Sequence, residues 1–419
     1  MLDIKLIREK PDYVIERLST RHQEFPITEV IKLDSEWRKL HYAVDLLKSK
    51  KNQASIEVSK AKDSKEKQKL INETKKISEE ITGIDEKKRL LKQKIDSLML
   101  SIPNLPLDSV LLGKSSEDNK EILRKGTIPK FSFKPKPHYE LGKELGILDL
   151  DASAKLAGTG FYVLKGFGAR LERALINFFL DFHLKNGFIE VCPPILVNEK
   201  TMTGTGQLPK FEQDLFKTRE GYYLIPTSEV PLTNLHAEEM LEENDLPKHY
   251  CAFTPNFRVE AGRHGTESRG IFRLHQFDKV EMVSICLPEQ STKELEFLRK
   301  QSEALLELLE LPFRTLELCT ADLAFSSAKT YDLEVWSPFL EKYLETSSIS
   351  NCTDFQARRM NTKYKTKEGK AFVHTLNGSG LATPRLLISL IECNQQEDGS
   401  IKVPKCLHKY TGFKEIAKE

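Results

Sequence analysis

The stretch FRVEAGRHGTESRGIFRLHQFDKVEMV, Phe257–Val283, decides how the chain is read. Phe257, Val259, Phe277, Val280 and Val283 give its two ends the apolar and β-branched content of buried strands. Gly262, Gly265 and Gly270 sit in the polar loop between them, where a bend or a close approach to a ligand needs them. Arg258, Arg263, Arg269 and Arg273 crowd the same stretch with Glu260, Glu281, His275 and Phe277. Arginine forks match phosphate oxygens two at a time, and an aromatic ring stacks on a base. Together these residues suggest a nucleotide polyphosphate site. A solvated hairpin laced with surface ion pairs has the same composition, so the surrounding chain must decide.

The 419 residues allow two or three domains and at least one large core. Charged residues make up 30% and hydrophobic ones 39%, which fits a soluble globular protein with a charged extension. Seven single cysteines with no C-x-x-C pair argue against structural zinc, and their odd number argues against a full disulfide framework. Asp3 and Lys5 stand where a secretory leader needs apolar residues, and no apolar run reaches a membrane span. A reducing, cytoplasmic setting without membrane contact is expected.

Upstream, Val30, Leu33, Trp37, Leu40, Val44, Leu47, Lys51, Ala54 and Val58 alternate steps of three and four. After polar residues 59–66 the pattern returns at Leu70, Thr74, Ile77, Ile81, Ile84, Lys88, Leu91, Ile95 and Leu98. Two such seams around a short break predict a long antiparallel helical hairpin, each helix roughly 50 Å long. Between Lys48 and Lys94 there are 15 Lys/Arg against 8 Asp/Glu, an excess of 7. Most of these lysines belong to a solvated face. A protruding basic hairpin with few aromatics nevertheless favours nucleic-acid backbone over base stacking.

The reading therefore divides the chain into an arm at 1–100, a proline-rich linker at 101–135 and a domain at 136–419. In that domain 164–188 has helical spacing through Leu171, Leu175, Phe178, Phe179 and Phe182, and IEVCPPILVN (189–198) is a strand broken by Pro193–Pro194, as at an edge or interface. Strands are expected at 221–225, 257–261, 275–283 and 329–336, and helices at 227–241 and 295–309, giving an antiparallel α+β domain. No G-x-G-x-x-G follows a strand and no G-x-x-x-x-G-K-[ST] occurs, so dinucleotide-fold and P-loop sites are excluded.

Six segments then point the same way: 203–216 (TGTGQLPKFEQDLF), 227–234 (TSEVPLTN), 257–282, 328–336 (AKTYDLEVW), 350–360 (SNCTDFQARRM) and 374–382 (HTLNGSGLA). In that order, behind a helical arm, they resemble the bacterial-type seryl-tRNA synthetases, class II aminoacyl-tRNA synthetases. The resemblance implies a core of six antiparallel strands with flanking helices and a homodimer. It implies activation of L-serine by ATP with Mg²⁺, then transfer to serine tRNA, with selenocysteine tRNA a further candidate partner.

It also implies residue roles. Arg258, Arg273 and Arg385 match the catalytic cations: Arg258 on the α-phosphate, Arg273 on the γ-phosphate, Arg385 covering the adenine. ATP binding extends to Val259, Glu260, Phe277, Glu345, Thr346, Ser347 and Ser348, with Glu260 at the adenine amino group and Phe277 beneath the ring. Glu345 and Ser348 match the Mg²⁺ ligands. The serine pocket maps to Thr227, Ser228, Glu229, Arg258, Glu281, Asn377 and Ser379, with Glu229 for the ammonium and Glu281 and Ser379 for the hydroxyl. Arg263 and Arg269 are loop cations without an assigned role.

Three departures stand out: Ile349 where many relatives have Cys, Thr383–Pro384 before Arg385, and Gly160 where the family often has Arg. None removes a charged ligand. A non-catalytic scaffold descended from the family would typically have lost such positions, and an activator of carrier proteins would typically lack the arm.

Overall fold

The computed structural model describes residues 1–260 and 270–418. Contacts divide them into two compact units, Leu2–Ser19 with Gln23–Ile102, and Met1 and Thr20–His22 with Pro103 onward.

In the smaller unit the two seams form helices α1 (Ile27–Lys60) and α2 (Ser64–Ser101). The break is tighter than the polar stretch suggested, only residues 61–63, because Asp63 caps the second helix by accepting from the Lys65 amide. Val30, Leu33, Val44, Ile95 and Met99 are buried along the seam. Lys88, which interrupts the apolar pattern, lays its ammonium 5.9 Å from the Trp37 ring and pairs with Asp85. Buried Asp34 is gripped by two Arg8 nitrogens at 2.9 and 3.0 Å and by Arg38 Nε at 3.0 Å.

The larger unit is built on an eight-stranded sheet. Its strands are β1 (Lys120–Lys125), β2 (Ile189–Glu190), β3 (Lys248–Phe257), β4 (Gln276–Cys286), β5 (Phe313–Glu317), β6 (Lys329–Ser337), β7 (Lys342–Asn351) and β8 (His374–Ala382). They lie in the order β1-β5-β6-β7-β8-β4-β3-β2. The inner six are antiparallel neighbours. Two short edge strands extend them: β1, which lies inside the segment read as a linker, and β2, which pairs in parallel with β3.

Two expected elements differ most. The strand placed at 257–261 ends at Phe257 and starts upstream at Lys248, leaving Arg258–Glu260 as an exit from the sheet. Glu260 there has φ +49°, the left-handed region a side chain rarely adopts. The helix placed at 227–241 shrinks to α4 (Glu229–Thr233) and a 3-10 turn, with Pro231 inside it and Glu238 turning the chain at φ +65°. The loop residues Gly262, Arg263, Gly265 and Arg269 lie outside the described residues.

Strand alternation sends Val280 and Met282 into the main core and Phe277, Lys279 and Glu281 to the other face. The core packs helices α3 (Phe167–Lys185), α5 (Ser291–Leu308) and α7 (Thr383–Cys393) on the sheet through residues such as Leu171, Phe179, Leu298, Leu305 and Leu387. Among the described residues no helix is long and apolar enough to cross a membrane.

Gly168, in the first turn of α3, sits where a Cβ would drive into the Ile147 carbonyl oxygen. Helix propensity favours alanine there by about 1 kcal/mol, whereas backbone overlap costs about 1–3 kcal/mol. Packing should win: Gly168→Ala is expected to lower the midpoint of urea unfolding, and a raised midpoint would contradict it.

Candidate active site

The face of β4 that carries Phe277, Lys279 and Glu281, with the loops around it, walls a cavity of about 810 Å³. One end is lined by Thr227, Glu229, Lys279, Glu281, Asn377 and Ser379, the other by Arg258, Glu260, Phe272, Arg273, Phe277 and Arg385. Glu345, Thr346, Ser347 and Ser348 from β7 form a side wall. The sequence-predicted residues thus converge, with two exceptions. Ser228 is fully buried with its hydroxyl 2.7 Å from Thr254 Oγ1, and Val259 hydrogen-bonds its amide to Asp214 O. Neither lines the cavity.

At the first end two carboxylates face inward. Glu281 is fully buried. Its Oε1 accepts from Asn377 Nδ2 at 3.2 Å, and its Oε2 forms an ion pair with Lys279. Glu229 Oε1 accepts from Gln356 Nε2 at 2.7 Å. Burial, and next the Glu281 carboxylate, push Glu229 up to about 7, against the pull of Gln356, Lys279 and Arg258. Gln356 comes from a short helix, α6 (Phe355–Met360), and is itself satisfied by Thr205 O and Thr375 Oγ1.

At the second end Arg258 lies deep among protein atoms yet opens its surface into the cavity. Its guanidinium rests 5.0 Å from the Phe277 ring centre, and its Nε donates to Pro226 O. Burial pulls it below the usual arginine value, opposed by Glu260 and Glu345. Arg273 meets Glu260 at 3.4 Å, and Arg385 meets the Glu345 carboxylate at 3.2 Å and its carbonyl at 2.9 Å. Arg385 also lies 4.8 Å from the Phe272 ring.

The seat of Arg385 is fixed from behind the sheet. Thr383 donates to Glu172 Oε1 at 2.7 Å with Asp278 O also within 3.2 Å of its hydroxyl, and Tyr162 donates to the same Glu172 oxygen. His275 fixes the exit carrying Arg258: its Nδ1 is 3.1 Å from Arg258 O and its amide donates to Gly160 O. A Cβ on Gly160 would lie 2.5 Å from the His275 ring, so glycine at this departure from the family makes room for the imidazole.

The side wall suits a hard cation. Glu345 and Ser348 offer a carboxylate and a hydroxyl, and Asp332, directly across the strand ladder from Ser348, has a buried oxygen without a hydrogen-bond partner. Burial and the Glu345 charge push Asp332 well above the usual carboxylate range, eased by the Ser348 hydroxyl. Among the described residues no three His, Cys, Asp or Glu side chains converge as a ready metal cage. The set fits Mg²⁺ held jointly with substrate phosphates and water.

Comparison with known proteins sets this geometry in context. Residues 210–394 match the model of the tRNA synthetase class II core domain (G, H, P, S and T) and residues 1–106 that of the seryl-tRNA synthetase N-terminal domain. A serine–tRNA ligase of Nitratidesulfovibrio vulgaris is 52% identical over 417 residues, covering 98% of each chain. The chain belongs to the seryl-tRNA synthetase family. Its fold is that of the family's solved structures. The Pyrococcus horikoshii seryl-tRNA synthetase complexed with ATP matches with TM-score 0.95, 37% identity and full coverage of both chains. The Naegleria fowleri cytoplasmic enzyme in complex with AMP matches with TM-score 0.89 and 31% identity over 100% of this chain and 99% of that one.

Lys279, Gln356, Phe272 and Asp332 were not singled out from sequence. Lys279 and Phe272 did lie within the opening stretch, and strand alternation places Lys279 on the face of Phe277 and Glu281. Nothing in the sequence pairs Gln356 with Glu229, 127 positions away.

An ammonium group pairs only with ionised Glu229, whose charged form is disfavoured by burial and by Glu281. Protonation on acidification would therefore weaken the hold of Glu229 on a substrate ammonium. With Glu281, Lys279, Arg258 and Cys352 around it, and a value of about 7, the KM for the amino acid should be about tenfold higher at pH 6 than at pH 8. Steady-state kinetics at saturating ATP measure this, and a flat profile would contradict it.

Proposed function

We propose that this chain ligates L-serine to serine tRNA through a seryl-adenylate. What carries the reading is one cavity holding two chemistries: an arginine-lined, aromatic-floored end and a carboxylate end closed by Asn377 and Ser379. The first fits ATP, which the Pyrococcus relative was solved with. The second fits a small amino acid bearing an ammonium and a hydroxyl.

In the first step a serine carboxylate oxygen forms a bond to the α-phosphorus while the bond from that phosphorus to the bridging oxygen breaks, releasing pyrophosphate. Arg258, between the two ends, offsets the charge on the α-phosphoryl group. Phe277 carries the adenine, Arg385 covers it, Glu260 accepts from its amino group and Arg273 holds the γ-phosphate. Glu229 takes the ammonium. Mg²⁺, when held at Glu345 and Ser348, neutralises phosphate charge. In the second step the terminal adenosine hydroxyl of the tRNA attacks the acyl carbon, AMP leaves, and the hydroxyl proton passes to phosphate or water. No side chain need act as a dedicated acid or base, so catalysis rests on positioning and charge.

The basic hairpin within residues 1–100 is assigned to the tRNA, and residues 136–419 to catalysis. A homodimer and a cytoplasmic location complete the reading, with selenocysteine tRNA as a second acceptor where one is present.

Pyrophosphate exchange into ATP should require serine and fall by about 10²–10³-fold in Arg258→Ala. Deleting residues 30–98 should leave exchange intact and abolish tRNA charging. Exchange no greater than in the Arg258→Ala variant would defeat the activity, and normal charging by the deletion would defeat the role of the arm.

A further inference from the structure

The amino-acid end of the cavity holds a cation that none of the roles above uses. Lys279 is 6% exposed and projects from β4 between Phe277 and Glu281. Its ammonium pairs with Glu281 and donates to Thr227 Oγ1 at 2.7 Å. Burying an ammonium is costly unless its partners are fixed, and here both partners are expected substrate ligands.

A threonine hydroxyl has one proton to give and two lone pairs to receive. Lys279 Nζ takes one lone pair of Thr227, and the Glu229 amide takes the other at 3.2 Å. What remains is the proton. A substrate ammonium has no lone pair to accept it, so Thr227 addresses a substrate oxygen and its role separates from that of Glu229. Glu281 is constrained in the opposite sense. With Asn377 on Oε1 and the Lys279 ammonium on Oε2, it is an acceptor only, and the substrate must bring a donor to it. Serine brings a hydroxyl, and alanine leaves the buried carboxylate without that partner.

We propose that Lys279 is a specificity-determining positioning residue: it holds Glu281 as an acceptor and turns Thr227 into a donor, so that the pocket requires a hydroxylated amino acid. This rests on the serine-activating reading above and names the residue that sets hydrogen-bond polarity in that site.

The test is pyrophosphate exchange by full-length wild type, Lys279→Met, Thr227→Val and the double variant, with serine and with alanine. Lys279→Met should raise the serine KM at least about tenfold and lower the serine-over-alanine ratio of kcat/KM at least about tenfold. The KM for ATP should stay within about twofold, which a merely structural defect would not preserve. In Thr227→Val, a KM rise for serine alone assigns the proton to the substrate hydroxyl, and an equal rise for both amino acids assigns it to the carboxylate. The double variant should lose less than the product of the single losses, because the two groups act as one unit. A serine KM and selectivity within about twofold of wild type in Lys279→Met, or full multiplicativity in the double variant, would overturn the proposal. Should Lys279→Met not fold, Thr227→Val decides, and an unchanged serine KM in it overturns the proposal. Failure of wild type to exchange with serine would defeat the activity instead.

Discussion

Two carboxylates of like charge, fully buried Glu281 and half-buried Glu229, share one end of one cavity, and much of the surrounding structure exists to make that tolerable. An isolated buried carboxylate is strongly disfavoured and takes up a proton unless donors hold it. Glu229 shows the strain, pushed up to about 7. Its fixed donor is Gln356, which in turn is anchored to Thr205 O and Thr375 Oγ1. Glu281 has Asn377 and Lys279. Segments far apart in the chain, around residues 205, 229, 281, 356 and 375, therefore form one polar shell. Removing a single member leaves a buried charge uncompensated, a loss of about 3–5 kcal/mol in comparable pairs.

The nucleotide end follows a different rule. Arg273–Glu260 and Arg385–Glu345 are partly exposed pairs, with side-chain exposures from 26% to 49%. Such contacts are worth about 0–1 kcal/mol each, so phosphates and adenine can replace them at little cost. Arg258 is the exception, held by Pro226 O, the Phe277 ring and the backbone bonds to His275. A rigid pocket for the small substrate and exchangeable arms for the large one suit a site in which specificity falls on the amino acid.

The arm was legible because its seams repeat locally: Lys88 and Lys51 were the sole charged interruptions, and the structure gives Lys88 a ring and a carboxylate as partners. The strand β4 was legible for the same reason, since alternation alone separates Glu281 from Val280. Boundaries were less so. The strand expected at 257–261 stops at Phe257 because the chain must leave the sheet for Arg258 to enter the cavity, and the helix from 227 stops early at Thr233. The edge strand β1 was hidden because KEILRK is exposed except at half-buried Leu123 and has no apolar alternation to detect. Partners such as Gln356 and Glu172 were not legible at all. The bonds that tie them to Glu229 and Thr383 span over a hundred positions, and a lone glutamine or glutamate carries no periodic signal.

The most direct test of the central claim, a cavity divided between adenylate and a hydroxylated amino acid, is calorimetric titration with non-hydrolysable sulfamoyl analogues of seryl-adenylate and alanyl-adenylate. Both halves of the cavity are then filled at once by one molecule. The seryl compound should bind at least about 100-fold more tightly than either AMP or the alanyl compound. Equal affinity for the seryl and alanyl compounds would contradict the account.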